Sequence, residues 1–177
     1  LDRLFDEFLS GMLPPHKFFD IEKTAKYFAI TDLVNGFHQL ARENMHWYFN
    51  PLSGRIEPIG REWGVRPYIP LTELSGELIN GQFIGDRGII NEKIFSDEIF
   101  FTKYMEELER ISDASYLDDF FEKNSAEIES NLVMIYKDHP YFHFEKEYFY
   151  NNQNFIRNKI YPKDPLKFYL EETADGI

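Results

Sequence analysis

Apolar positions along the chain change their period several times, and each change marks an element. Leu1, Leu4, Phe5, Phe8 and Leu9 recur at three- and four-residue spacing opposite Asp2, Arg3, Asp6 and Glu7, which predicts an amphipathic helix. Gly11 and the Pro14-Pro15 pair then make a break that a helix does not cross. Asp20 has the chemistry of an N-cap for a long helix bearing Ile21, Tyr27, Phe28, Ile30, Leu33, Val34, Phe37 and Leu40, ending between Ala41 and Asn44. Its broad apolar stripe predicts a central, heavily buried helix.

From Asn44 the period is two. Asn44, His46 and Tyr48 fall on one face of a strand, and Met45, Trp47 and Phe49 on the other. Asn50-Pro51-Leu52-Ser53-Gly54 is strong turn chemistry, so Arg55 to Ile59 is expected to return antiparallel as a hairpin. Residues 60–95 are glycine-rich and predict an extended region with short strands. Beyond it, Ser96 is placed to cap a helix bearing Ile99, Phe100, Tyr104, Met105, Leu108 and Ile111. Asp113 or Ser115 starts a short helix through Phe121, and Ser125 caps a third through Tyr136, stopped by His139-Pro140. A last helix over 145–160 closes at Pro162 and Pro165. The expected fold is α+β, predominantly helical with one β-hairpin, and residues 1–177 form a single unit. Its 1–95 part is helix, helix, hairpin and extended chain, and its 96–177 part is helical.

Composition narrows the picture. Of 177 residues, 31 are Phe, Tyr or Trp, so the core is expected to rest on large rings. Thirty-one acidic against 19 basic residues give a formal charge of −12. With no basic cluster to neutralise phosphates, this argues against sequence-independent nucleic-acid binding. The absence of cysteine removes disulfides, thiolate metal sites and cysteine nucleophiles. No stretch approaches the roughly 20 apolar residues of a membrane-spanning helix. The chain opens on Leu1 inside a helical pattern, from which an upstream segment is expected.

The densest set of cooperating polar groups is His38, Arg42, Asn44, His46, Tyr48, Glu57, Arg61 and Glu62. A helix end, a strand and its hairpin partner can bring them together. The plain alternative is a solvated helix end beside the wet face of a hairpin. His38, His46 and Glu62 have ligand types suited to Zn²⁺ or Fe²⁺ but lack the spacing of two ligands on one helix face. The adjacent acids Asp118-Asp119 and Glu106-Glu107 diverge on their helices and read as solvated faces. His139 and His143 read as packing or capping groups, and Tyr148, Phe149, Phe155 and Ile156 as core.

Phe19-Asp20-Ile21-Glu22-Lys23, Ala29-Ile30-Thr31-Asp32-Leu33, His38, Asn44-Met45-His46-Trp47-Tyr48-Phe49-Asn50-Pro51 and Ser53-Gly54-Arg55-Ile56-Glu57-Pro58-Ile59-Gly60 together resemble the spore-coat CotH kinase-like family. The resemblance implies the C-terminal lobe of a divergent protein-kinase-like fold, and Mg²⁺- and ATP-dependent phosphoryl transfer to a protein hydroxyl. Aligning Glu-Pro-Ile-Gly puts Glu62 where the family has a metal-binding Asp, with Asn44 beside it as a second metal-side and catalytic residue. His38 then belongs to the catalytic floor, and Arg42 and Arg61 to phosphate binding. Glu62 departs from the family by one methylene. The nucleotide-clamping lobe would lie upstream, so this segment alone is expected to be inactive. Gly81 to Gly88 follows the hairpin, out of order for a phosphate loop, and reads as an ordinary loop. The other reading is a non-catalytic kinase-like scaffold that binds a protein in a coat or cell-surface assembly. A bacterial surface or extracytoplasmic location follows from the resemblance only.

Overall fold

In a computed structural model of the chain, the described residues are 2–41, 44–61, 64–65, 69–79, 82–83 and 88–162. Their architecture is α+β and mostly helical, with a two-stranded antiparallel hairpin. The first helix, α1, is Asp2–Leu9, followed by a short α2, Pro15–Phe18. The Pro14-Pro15 break therefore also starts a helical turn, with Pro15 at the first position, where its missing N–H costs no hydrogen bond.

The central helix α3 runs Ile21–Leu33 and is capped by Asp20, whose side chain accepts from Lys23 N–H. Nine of its 13 residues are buried, and it packs against α5, α8 and the hairpin. The expectation of one helix reaching the stretch from Ala41 to Asn44 is corrected, because α3 ends at Leu33. Asn35 takes φ 48, and Gly36 N–H donates to Thr31 O at 2.8 Å while Asn35 N–H donates to Asp32 O at 3.0 Å. This is a Schellman-type stop, and asparagine tolerates its left-handed residue better than most side chains. A separate 3₁₀ turn, Phe37–Leu40, follows.

Strand β1, His46–Asn50, pairs antiparallel with β2, Arg55–Ile59, as expected, and the register sets Tyr48 opposite Glu57. Asn44 lies in the turn before β1, not in the strand. Trp47 and Phe49 face inward. Asp20 N–H donates to Ile56 O at 2.8 Å, tying the start of α3 to the hairpin. The short strands β3, Leu78–Ile79, and β4, Gln82–Phe83, pair antiparallel, in keeping with the expected extended region. That region ends earlier than expected, because residues 88–95 form helix α4, Gly88–Phe95, with Ile94 and Phe95 in the core. Most of the Gly81 to Gly88 loop lies outside the described residues.

Helix α5, Glu98–Ile111, is capped by Asp97 rather than Ser96. Ser96 instead donates its hydroxyl to Lys93 O and closes α4. Helix α6, Ala114–Lys123, is capped by Asp113. Helix α7, Ser125–Asp138, starts without a side-chain cap, since the Ser125 hydroxyl donates back to Glu122 O. Helix α8 is Glu147–Ile160.

One run of ring contacts joins Phe8, Phe18, Phe19, Trp47, Tyr27 and Phe28 and continues to Phe95, Phe100 and Tyr104. Most of these pairs are edge-on or tilted, the arrangement that the ring quadrupole favours. Helix α8 adds polar ties. Tyr148 donates to Val34 O, Asn152 to Leu33 O, Gln153 to Ile111 O and Asp113 O, and Arg157 to Ser112 O. All but the Asp113 carbonyl lie at the ends of α3 and α5, where a helix leaves its last carbonyls without internal partners.

Replacing Asn152 by Leu strands the buried Leu33 carbonyl and is expected to lower stability by about 1–3 kcal/mol in urea unfolding. A second prediction concerns Asp97, whose carboxylate accepts from Ile99 and Phe100 N–H and from the backbone and ring of His16. Burial pushes its pKa up, but the hydrogen bonds from Phe100 and His16 prevail and hold it below the usual aspartate value. A lowered folded-state pKa adds stability that is present above the unfolded value, about 3.9, and lost as pH falls through the folded one. The stability gap between wild type and Asp97→Asn should therefore be constant above about pH 5 and narrow on acidification.

Candidate functional site

The 3₁₀ turn carries His38 at the surface, and the chain returns through Asn44 to β1, whose first residue is His46. Arg61 lies two residues past the end of β2, so the hairpin register, which pairs His46 with Ile59, brings it back toward His46. Asn44 Nδ2 lies 2.9 Å from His38 O and 3.2 Å from His38 Nε2. His46 Nδ1 lies 2.9 Å from Asn44 O, and Arg61 approaches His46 Nε2 at 3.2 Å. Four polar residues expected near one another thus form one continuous hydrogen-bonded run.

The carbonyls in this run settle its polarity, because a carbonyl oxygen only accepts. The atom of Asn44 facing His38 O is therefore the amide nitrogen, which leaves Oδ1 as that side chain's acceptor. His46 Nδ1 carries the proton it donates to Asn44 O, so Nε2 accepts from Arg61. The result is a half-buried Asn44 and His46 held between an exposed His38 and an exposed guanidinium.

Glu57 does not join them. Its carboxylate accepts from Lys23 Nζ at 2.7 Å and from Asn50 Nδ2 at 2.8 Å, and those bonds, the Lys23 one first, hold its pKa below the ordinary glutamate value. It fastens the hairpin to the first turn of α3. Tyr48 points to solvent, half-exposed. Arg42 and Glu62 lie outside the described residues, so the expected phosphate-side Arg42 and metal-side Glu62 have no described geometry.

Among the described residues no group of three or more His, Asp or Glu side chains gathers as a cation-binding set. The run offers one hard oxygen, Asn44 Oδ1, and one fixed positive charge, Arg61. Nε2 of His38 and both ring nitrogens of His46 are already engaged in hydrogen bonds, which leaves this pair poorly set to ligate a transition metal. Behind the hairpin is an apolar cavity of about 220 Å³ lined by Phe5, Phe18, Trp47, Phe49, Ile56 and Ile90.

Two features escaped the sequence reading. Gly64 takes φ 57, and a Cβ there would come within 2.7 Å of His38 Cβ, so the chain after Arg61 passes directly over the His38 side chain. A glycine two residues beyond Glu62 was the available signal. The other is Asp32, fully buried, which accepts from Ser75 N–H at 2.8 Å, the Ser75 hydroxyl at 2.6 Å and the Tyr104 hydroxyl at 2.5 Å. A carboxylate on an apolar helix stripe was its signal. This group pins the 69–79 segment and α5 to α3.

Comparison with protein-family models, with characterised proteins and with solved structures finds no match to this chain.

Gly64→Ala is expected to cost at least about 1 kcal/mol from the left-handed backbone alone, with the His38 contact adding to it. In a ¹H–¹⁵N spectrum of the variant, the His38 ring resonances should move more than those of His16, which sits on α2 against Asp97.

Proposed function

We propose that this chain is part of a CotH-like atypical protein kinase, and that the polar run at the base of the hairpin is the phosphate side of its Mg²⁺-ATP site. One observation carries the reading. His38, Asn44, His46 and Arg61, drawn from a 3₁₀ turn, a turn, a strand start and the segment just past a strand, are joined by hydrogen bonds within 3.2 Å. Two exposed and two half-buried residues with no common task have little reason to be ordered in this way.

Phosphoryl transfer asks a protein to position groups and to neutralise charge more than to react covalently. In this reading Arg61 neutralises phosphate oxygens, and His46, hydrogen-bonded to it, fixes its direction. Asn44 Oδ1 and the Glu62 carboxylate are the hard ligands that would hold Mg²⁺, and Arg42 is a second phosphate contact. Bound there, Mg²⁺ supplies charge neutralisation across the nucleotide phosphates. His38 holds the Asn44 amide through its carbonyl and ring, so that Oδ1 is the oxygen presented. The remainder of the nucleotide cleft, including a lysine and a glycine-rich loop, would come from upstream in the complete gene product.

The test is isothermal titration of Mg²⁺-ATP, with phosphotransfer to a protein substrate, on the complete gene product. Glu62→Ala and Asn44→Ala are expected to weaken binding or transfer by about tenfold or more each. Equal binding and equal transfer in wild type and both variants would remove these residues from the function.

A further inference from the structure

Four helices of the helical frame wall a cavity of about 320 Å³. Its lining is almost wholly carbon, from Ile30 and Leu33 of α3, Leu117 and Phe121 of α6, Ile128 of α7 and Phe149 of α8. Water finds no hydrogen-bond partners on such walls, whereas an apolar molecule gains contacts on every side. Carbon-lined cavities of about 150 Å³ take up benzene, and this one is larger.

The shape of the opening narrows the choice of ligand. Of the residues that line the cavity Phe120 alone is exposed, at 47%, and the others are buried or half-buried. A partner helix needs a row of exposed apolar anchors, which a single ring does not provide. A flexible alkyl chain can enter beside one ring. At about 30 Å³ for a water-sized group, the volume holds about ten such groups, the size of an alkyl chain of about ten carbons.

Charge narrows it further. Lys146 Nζ lies 4.8 Å from the centroid of the Phe121 ring, and Tyr150, whose ring packs on Phe121 at 5.9 Å, donates its hydroxyl to Asp118. Lys146 disfavours a cationic head group there, while Asp118 and the net charge of −12 disfavour an anionic one. A neutral head meets neither repulsion. We propose that this cavity is a binding site for the alkyl chain of a neutral single-chain molecule, such as a medium-chain alcohol or ester, with its head at the Phe120 opening. None of these residues belongs to the His38–Arg61 run, so the site does not depend on the kinase reading. Because Ile128 puts one wall of the cavity on α7, a helix with no buried residue, a bound chain also fastens α7 to α3 and α8.

The test is a titration of the protein with 1-octanol followed in ¹H–¹⁵N spectra. Saturable shifts are expected at Leu117, Phe121, Ile128 and Phe149, with Trp47 and Ile90 at the cavity behind the hairpin unmoved. From hexanol to decanol the affinity should rise about three- to fourfold per added methylene, and it should level off by dodecanol, where the chain outgrows the cavity. Octanoate should bind at least about tenfold more weakly than octanol, and Ile128→Trp, whose ring takes up the cavity, should weaken octanol binding by about tenfold or more. Shifts that do not saturate, or that fall at Trp47 and Ile90 instead, would overturn the proposal. So would octanoate binding as tightly as octanol, affinity still rising beyond dodecanol, or unchanged octanol affinity in folded Ile128→Trp. If that variant does not fold, the position of the shifts and the chain-length limit in the wild-type protein decide.

Discussion

Ending α3 inside the protein is the constraint on which most of the structure depends. A helix that stops at Leu33 leaves carbonyls without partners, and in a buried setting each must find one. The backbone supplies the first through the Schellman turn, where Gly36 N–H reaches Thr31 O. Helix α8 supplies others from more than a hundred residues away, with Asn152 on Leu33 O and Tyr148 on Val34 O. The Asp32 carboxylate, on the residue before Leu33, takes up Ser75 and Tyr104. Polar groups that would be costly if unpaired thereby fix where α8, α5 and the 69–79 segment sit. Because α3 stops there, the chain turns, and His38 emerges on the surface beside Asn44.

The hairpin is held to this frame at two points of different chemistry. On its inner face Trp47 packs on Phe19 and Tyr27, and Asp20 N–H pairs with Ile56 O. On its outer face Glu57 pairs with Lys23 at 2.7 Å, an exposed ion pair whose main effect is register rather than stability. The inward rings and the outward polar run are two consequences of one alternation, since Trp47 and His46 are neighbours on a strand.

How much of this could be read from the chain follows from the range of each interaction. Local chemistry was legible: the Asp20 cap, the period-two run of the hairpin and its Asn50 to Gly54 turn, and the stop at His139-Pro140 all appear where their side chains place them. Competition between adjacent caps was not, because Ser96 and Asp97 are both good caps and only the approach of His16 from 81 positions away favours Asp97. The stop after Leu33 was missed for a related reason. Asn35-Gly36 is a helix terminator, but the apolar period continues across it through Phe37 and Leu40, and periodicity alone carries the helix onward. At the site, the neighbourhood of His38, Asn44 and Arg61 was foreseen from the hairpin, while His46's position between Asn44 and Arg61 depends on ring-nitrogen geometry that no spacing encodes.

The net charge of −12 takes on a more local meaning in three dimensions. The acidic excess is concentrated in the 113–147 segment, with nine acidic against three basic residues, while Arg61 places a guanidinium beside His46 at the hairpin base. The hairpin base and the helical half rest on the same frame, and the frame rests on the closed end of α3. Native-state amide hydrogen exchange reads that closure directly at Gly36, whose N–H donates to Thr31 O, and at Ser75, whose N–H donates to the buried Asp32 carboxylate. Both amides should exchange only with global unfolding, as slowly as Phe28 in the middle of α3. Exchange at the rate of an open loop at either position, with Phe28 still protected, would contradict the account.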